Sequence, residues 1–458
     1  MSALEQENEP DASASRPKPE SPSMAAPKDV FLDKAIFACV KLLPPDIENP
    51  EAALKDALII DNDAYEYCSR KNLPLTLVFD PARSRMLDWY KGRRPFRVAI
   101  TVMEDGSLVV TSVNSCSGDP ATTLAKGGCR WYQFASETEF TNKRGEALAE
   151  SARLAEAMHD KDPLWDVFFD GGKTVFLAAA GADKKSVIKN WTASSMASGM
   201  LCGLYIAGPD MDMREEEMTW IQDEAERCFR EEAIRDRILK PLGKESILAT
   251  TSRPEEMGSL PHMPWMVTSR GVVESFAAAI SDTEVLMHHG IGIDGTNKTV
   301  IIQGFGDVGS GVVKLLLTEY KRLGFKITGV SDKFGAVYSE KGLDIDELIR
   351  LRRMFEEGNK FKLAEEYKGS GFEKYDGNPD DILYKNCTAL VLAAGSNIFT
   401  KAKDNTRRIK ARLIVEGANN AFERGLEDDL HKMGVLYIQG PVANGGGIYT
   451  STEEVIHY

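Results

Sequence analysis

At 458 residues the chain is too long for one ordinary hydrophobic core, and two domains are expected. Its 43% hydrophobic and 28% charged residues are those of a soluble globular protein, and a net charge of −14 argues against nucleic acid or an anionic membrane as partner, since either wants a basic face. Seven cysteines without any C-x-x-C pair fit free thiols in a reducing compartment, not a disulfide framework or a zinc site, so no metal is expected.

Residues 1–28 are rich in Pro, Ser, Glu and Ala and read as a disordered tail, because they cannot bury enough apolar surface to offset their ordering entropy. The tail lacks the apolar core of a signal peptide, and its acidic residues disfavour a transit peptide. No apolar run reaches the ~20 residues of a membrane span, which leaves the cytoplasm as the default location. Order is expected from about Phe31. Two alternating apolar runs between Pro95 and Val113, joined by Asp105-Gly106, predict a hairpin. Apolar residues at helical spacing predict a helix from Arg144 to about His159. A turn at Gly171-Gly172-Lys173 and a strand through Val175, Phe176 and Leu177 are expected next. The apolar run Leu201–Ile206 ends at Gly208-Pro209-Asp210, and the charge-dense segment Met213–Lys240 reads as helical with a solvated face.

The Pro-, Ser- and Gly-containing stretch from Leu248 to Pro264 reads as a loop between domains, which divides the chain into 29–250 and 251–458. A helix is expected from Arg270 to Ile280, and His288-His289 reads as a helix end before Gly290, without ligand partners at metal spacing. Then comes Thr299-Val300-Ile301-Ile302, the run Gly304-Phe305-Gly306-Asp307-Val308-Gly309, a helix through Val312–Leu317, a strand Lys326–Val330, and Asp332. This is G-x-G-x-x-G inside a βαβ unit, with an acid 23 residues beyond Gly309, near the ~20-residue offset at which a ribose hydroxyl is bound. The first glycine permits a tight turn, the second admits a pyrophosphate to the backbone, and the third lets helix and strand pack closely. The helix N-terminus supplies N–H groups to the phosphates. Lys341–Tyr384 reads as a helical excursion, followed by strands at Ala389–Leu392, Leu413–Val415 and Val435–Ile438. The fold class is α/β, with a Rossmann-type dinucleotide-binding domain at the C-terminal end.

The N-terminal half holds three lysines beside glycines or in short loops: Lys126 before Gly127-Gly128, Lys161 at a helix end, and Lys173 after Gly171-Gly172. Lysines bind carboxylates as point charges, and one crowded by other cations and screened from water becomes a base near neutral pH. Asp210, set by Pro209, reads either as a proton shuttle beside these lysines or as an N-cap for the next helix.

With these residues in view, the chain from about residue 95 resembles the glutamate/leucine/phenylalanine/valine dehydrogenase superfamily. AKGGCRWY resembles its K-G-G-x-R motif at Lys126, DGGKTV its G-G-x-K loop at Lys173, and Lys161 stands at the family's interval of 12 residues before Lys173. GPDMDMREEEMTW resembles its P-x-D motif at Asp210, and VTSRGV its A-T-G-x-G-V segment, with Thr268 at the nicotinamide position. IVEGANN and VANGGGIYTS resemble the late G-A-N and N-A-G-G segments at Asn419 and Asn444.

The resemblance implies an N-terminal α/β substrate and oligomerisation domain, and a nicotinamide coenzyme. NAD is mildly favoured by Asp332, with NADP possible because Lys333 is adjacent. It implies that Lys161 and Lys126 hold two substrate carboxylates, with Ser451 beside Lys126. Lys173 would activate water, and Asp210 would move protons. A buried distal carboxylate needs a cation and a hydroxyl, so L-glutamate is the expected substrate, with oxidative deamination to 2-oxoglutarate and ammonia. The alternatives are a dehydrogenase of a branched-chain or aromatic amino acid, and an inactive nucleotide-binding paralogue. Relatives form hexamers, so a homo-oligomer is expected. Two departures stand out. Asp170 occupies a position where the family has glycine, and is expected to raise the pKa of Lys173. The chain also ends seven residues past Ser451, where the family continues into further helices, so cleft closure is expected to differ.

Overall fold

The computed structural model describes residues 28–43, 48–59, 61–84, 93, 95–238, 240, 247–291, 298–403 and 405–457. Apart from Lys28, the expected N-terminal tail lies outside them. Two seven-stranded sheets organise these residues. In the first, β1 (Leu58–Ile59), β2 (Thr76–Phe79), β3 (Arg97–Val102), β4 (Leu108–Val113), β5 (Ala125–Gln133), β6 (Asp170–Ala178) and β7 (Tyr205–Pro209) lie in the order β1-β2-β3-β4-β6-β5-β7. The β3–β4 hairpin forms as expected. Gly106 takes φ 87° in its turn, and Asp105 accepts the Ser107 N–H at 2.9 Å. From β1 to β6 the pairing is antiparallel, whereas β5 runs parallel to both β6 and β7.

The helix Glu137–Lys161 covers β4 and β6 and begins seven residues before the expected Arg144. Its true start carries a capping signal. The Ser136 hydroxyl accepts the Glu139 N–H at 3.3 Å, and the Glu139 carboxylate reaches back to the Ala135 N–H at 3.1 Å. Against expectation, Gly171-Gly172-Lys173 is not a turn but the interior of β6, paired with β4 and β5. Gly127-Gly128 likewise lies inside β5. These glycines serve close packing. A Cβ on Gly171 would sit 2.1 Å from the Ala155 carbonyl oxygen, one on Gly127 1.8 Å from that of Gly172, and one on Gly172 2.5 Å from the Tyr205 ring. Without side chains there, the helix lies on the strand backbone and delivers its last residue, Lys161, to the sheet. The charged segment after Met213 forms the helices Glu215–Phe229 and Glu232–Ile238. Arg214, not Asp210, precedes the first as N-cap, its N–H bound by Glu217 at 2.8 Å. On the sheet's other helix, Lys184–Ala197, Trp191 packs edge-on to Phe176 of β6 at 5.1 Å, a contact contributing about 0.5–1.5 kcal/mol beyond burial.

The second sheet contains β8 (Thr299–Gln303), β9 (Lys326–Ser331), β10 (Ala336–Tyr338), β11 (Glu373–Tyr375), β12 (Ala389–Leu392), β13 (Leu413–Glu416) and β14 (Leu436–Ile438), in the order β11-β10-β9-β8-β12-β13-β14. Strands β9 to β14 through β8 and β12 are parallel, and β10 and β11 add an antiparallel edge. The order reverses between β9 and β12 around β8, so the crevice at the end of β8 is the ligand position of a doubly wound sheet. Lys341–Tyr384 is only partly the helical excursion expected. Besides the helix Ile345–Glu356 it supplies β11, whose register with β10 is fixed by three residue pairs too few to show alternation.

The helix Val267–Ser281 leans on the helix Asp307–Leu317, and His288 ends the helix Thr283–His288 before Gly290 at φ 61°, as expected. The last helix, Gly446–His457, follows the second sheet yet reaches the first. Its buried Glu454 accepts the N–H groups of Ser252 at 2.9 Å and Leu260 at 3.3 Å and the Ser259 hydroxyl. Among the described residues no helix is long and apolar enough to cross a membrane.

Candidate active site

Lys173 projects from β6 onto the Asp210 carboxylate at the end of β7, and the same oxygen of Asp210 receives the Arg130 Nε–H at 3.1 Å from β5. Arg130 continues to Glu150 at 2.8 Å, which also takes the Tyr132 hydroxyl at 2.6 Å and Lys143 at 2.8 Å. The lysine is buried. Desolvation lowers its pKa, and the Arg130 charge adds to the shift against the opposing pull of Asp210. For Asp210, burial acts upward, but Lys173 and Arg130 outweigh it and hold the carboxyl well below the usual range. The pair is therefore a lysine prepared to lose its proton and an acid that stays ionised. Asp170 does not act as expected. Its carboxylate takes the Cys116 N–H at 2.9 Å and faces His159, and the lysine's pKa goes down, not up.

Lys161, the last residue of its helix, donates to the Asn419 side-chain oxygen at 2.8 Å. Burial, then the nearby charge of Lys173, brings its pKa down to about 8. Lys126 on β5 meets Ser451 directly, at 3.0 Å, and also donates to the Ile448 carbonyl at 2.6 Å and to the Thr452 hydroxyl. All three ammonium protons thus end on the final helix, and the Phe169 ring lies 5.2 Å below the charge. Burial lowers the Lys126 pKa, opposed by the Asp162 charge. These contacts join the two sheets' residues in one cleft, to which Trp165 adds a 3.0 Å hydrogen bond to the Pro441 carbonyl.

At the glycine loop, Gly304 has φ 94°, which a side-chain-bearing residue would rarely adopt. A Cβ on Gly309 would lie 2.0 Å from the Gly304 oxygen, whereas one on Gly306 would meet nothing within 4 Å. Close packing at the third glycine and open space at the second are what a pyrophosphate needs. Phe305 is buried, 6.3 Å edge-on from Phe361, and Val308 faces Gly417. Asp307 opens the helix Asp307–Leu317, whose N-terminus no side chain caps. Ser269, beside Thr268, donates to the Val308 carbonyl at 3.0 Å, and the Thr268 hydroxyl lies beside Gly447. Asn444 donates to Asn419 at 3.1 Å, while its own side-chain oxygen is buried without a partner among the described residues, an acceptor suited to a carboxamide N–H. These residues fit a nicotinamide dinucleotide. Asp332 is less free than its offset implies. It accepts the N–H groups of Phe334 at 2.7 Å, Gly335 at 2.9 Å and Leu363 at 2.7 Å, so both its oxygens hold a turn together.

Residues 258–457 match the family model described as Glutamate/Leucine/Phenylalanine/Valine dehydrogenase. The chain is 27% identical over 370 residues to a glutamate dehydrogenase of Thermotoga maritima, an alignment covering 78% of this chain and 76% of that protein. It is 27% identical over 372 residues to an NADP(+)-dependent glutamate dehydrogenase of Pyrobaculum calidifontis, covering 80% and 78%. The chain is thus similar to the Glu/Leu/Phe/Val dehydrogenase superfamily over residues 258–457, and to glutamate dehydrogenases over most of its length. Its fold is similar to that of the hetero-hexameric glutamate dehydrogenase of Thermus thermophilus, solved in a leucine-bound form, with a TM-score of 0.56, 21% identity, and 94% of this chain and 84% of that one covered.

In this chain the glycine loop separates steric from ligand effects. Gly309→Ala is expected to lose about 1–3 kcal/mol of stability by overpacking, read from the urea midpoint. Gly306→Ala, with open space around it, is expected to keep the midpoint while weakening coenzyme binding, measured by NADH fluorescence titration. Equal coenzyme affinity in Gly306→Ala and the unaltered chain would remove the loop from the site.

The sequence reading passed over Arg130, Glu416 and Asp162. Arg130 had a signal, as the arginine of K-G-G-x-R. Glu416 accepts the Gly440 N–H at 2.7 Å, the Tyr437 hydroxyl at 2.8 Å and the Ala421 N–H, which shapes the turn that presents Asn419. Neither it nor Asp162 sits in a pattern of periodicity, so no local signal marks them.

Proposed function

We propose that this protein interconverts L-glutamate with 2-oxoglutarate and ammonia, using NAD or NADP. The observation that carries the reading is the buried meeting of Lys126 and Ser451, a cation and a hydroxyl in a cleft shared with Lys161, Lys173 and Asp210. A distal carboxylate would exchange for contacts that Lys126 now makes to the last helix, whereas an apolar side chain placed there would displace them and offer nothing in return.

Substrate recognition falls to residues 29–250 and coenzyme recognition to 251–458, with the final helix serving both. Lys161 holds the α-carboxylate. A nicotinamide bound there would supply the acceptor for the hydride of Cα, which would leave the oxidised substrate as an imine. Neutral Lys173 takes a proton from the water that attacks this imine. Asp210 steers that proton toward the departing nitrogen, and ammonia leaves as 2-oxoglutarate forms. Arg130 keeps Asp210 ionised and in place. Thr268, Asn419 and Asn444 orient the nicotinamide end, and the loop Gly304–Gly309 holds the phosphates. Asp332, committed to its turn, shapes the ribose pocket more than it binds there, which supports use of either coenzyme. A homo-oligomer, hexameric by resemblance, is proposed; the similar Thermus thermophilus protein is a hetero-hexamer.

Incubation with 2-oxoglutarate, ammonium and each reduced coenzyme is expected to consume NADH or NADPH absorbance, with slower turnover of 4-methyl-2-oxopentanoate and phenylpyruvate. Faster turnover of either apolar oxoacid would sink the glutamate reading.

The pH dependence has a definite sign. The Lys161 pKa stands at about 8, below the ordinary 10.5, so between these values the unfolded chain holds the extra proton. The cost of burying this charge is full below pH 8 and fades as pH rises toward 10.5, so this group's contribution to stability improves with pH. Substrate binding runs the other way, because the α-carboxylate needs the charged lysine. KM for glutamate is expected to rise roughly tenfold per pH unit above about 8. Initial rates on both sides of that pH check it, and a flat KM would count against Lys161 as the carboxylate ligand.

A further inference from the structure

Behind the cleft, three side chains of different chemistry meet from three elements. Cys116 lies in the loop after β4, His159 two residues before the end of its helix, and Asp170 at the first position of β6. The thiol sulfur is 3.6 Å from His159 Nε2, and His159 Nδ1 is 3.6 Å from Asp170 Oδ1. One donor atom from each lies within 4.8 Å of the other two.

The arrangement is not a hydrogen-bonded relay. The imidazole–carboxylate separation is too long for a hydrogen bond, and His159 Nδ1 is buried with no partner among the described residues. One ion takes only one imidazole nitrogen, and with one donor atom from each residue the three lie within 4.8 Å of one another, close enough for small side-chain rotations to gather them around an ion. Zinc bonds of about 2.0–2.3 Å at tetrahedral angles place neighbouring donors about 3.3–3.6 Å apart. Thiolate, imidazole and carboxylate form a donor set that selects zinc-class ions over magnesium or calcium. The backbone pre-positions two of the donors, because the Cys116 N–H is itself held by Asp170 at 2.9 Å.

A second observation is independent of these three residues. Asp162 is buried, 1% exposed, and both its carboxylate oxygens lack a hydrogen-bond partner among the described residues. It lies near enough to feel the charges of Lys126, His159 and Asp170.

We propose that Cys116, His159 and Asp170 form a binding site for one zinc-class divalent cation per chain, with its fourth position open to water. The sequence shows no ligand spacing because the donors stand 43 and 11 residues apart and come together only when the helix packs on β6. Binding forms metal–sulfur, metal–nitrogen and metal–oxygen bonds, releases the thiol proton to solvent, and leaves the oxidation state unchanged. The ion ties the loop after β4, the helix end and β6 together, so occupancy stabilises the first sheet's unit. Cys116 is solvent-exposed, which gives the ion its entry.

The test uses the full chain, stripped with EDTA, and does not depend on dehydrogenase activity. Titration with Co2+ is expected to saturate at one equivalent with a thiolate-to-cobalt charge-transfer band, and Zn2+ to displace it and raise Tm. Cys116→Ser, an exposed and near-isosteric change, is expected to abolish the band and weaken Zn2+ binding at least about tenfold. His159→Gln should weaken it similarly. Two results would overturn the site: Co2+ binding without a thiolate band, or a Zn2+-induced Tm rise that persists undiminished in Cys116→Ser. Failure to bind any Co2+ would overturn it equally, whether or not glutamate is turned over.

Discussion

Lys173→Met is expected to lower kcat for glutamate oxidation by about 10²–10⁴-fold, while KM for glutamate changes by no more than about threefold. Lys173 lies on buried β6 with its amine on Asp210, and burial lowers its pKa, the property a general base needs near neutral pH. Methionine keeps the length and apolar stem of lysine and removes only the proton acceptor. It strands no charge, because Asp210 retains Arg130 at 3.1 Å. The fold is therefore expected to survive, with an unchanged far-ultraviolet circular dichroism spectrum and a urea midpoint close to the parent's. Steady-state kinetics then separate the roles. A loss confined to KM would make Lys173 a carboxylate ligand, and retention of kcat within about tenfold would exclude it as the base.

Lys126→Leu is expected to reduce kcat/KM for glutamate by about 10²–10³-fold, the effect of leaving a desolvated carboxylate without its cation, about 3–5 kcal/mol. Norvaline, which has no distal carboxylate, is expected to be affected far less, so the ratio of the two substrates should move toward norvaline. The argument rests on three contacts from one ammonium to Ile448, Ser451 and Thr452. Leucine offers none of them and leaves the hydroxyls to bond back to the Ile448 carbonyl, which Ser451 and Thr452 already do at 2.9 and 2.8 Å. An unchanged glutamate-to-norvaline ratio would show that the side chain of the substrate is read elsewhere.

The two halves of the chain were legible to different degrees. In the second sheet, short β-branched runs such as Thr299–Ile302 and Leu413–Val415 are buried on both faces, and the glycine loop between strand and helix admits few other conformations. Their reading from local pattern held closely: β8 and β13 extend those runs by one residue each. In the first sheet, glycine misled. Glycine pairs beside lysines suggest turns by their local freedom, yet Gly127-Gly128 and Gly171-Gly172 are strand interiors, because the Gly172 carbonyl at Gly127, Asp210 at Gly128, the long helix at Gly171 and the Tyr205 ring at Gly172 occupy the space their side chains would fill. The same close approach carries Lys161 to Asn419 and His159 to Asp170. The start of the long helix was missed for a local reason, since Ser136 and Glu139 lie outside its apolar periodicity.

By itself the sequence determined the α/β class, the glycine loop of a βαβ unit and, through ordered motifs, which lysines and acids resemble one family's site. Those properties reside in covalent order: hydrophobic period, glycine position and motif spacing. The tertiary structure alone decided how these groups are charged and paired. Arg130 and Lys173 share Asp210, Asp332 is spent on a turn, Asp170 turns from Lys173 to Cys116 and His159, and the final helix closes on Lys126. Each outcome depends on burial and on contacts between residues tens to hundreds of positions apart, where Coulomb and desolvation terms vary over a few ångströms that no local pattern encodes.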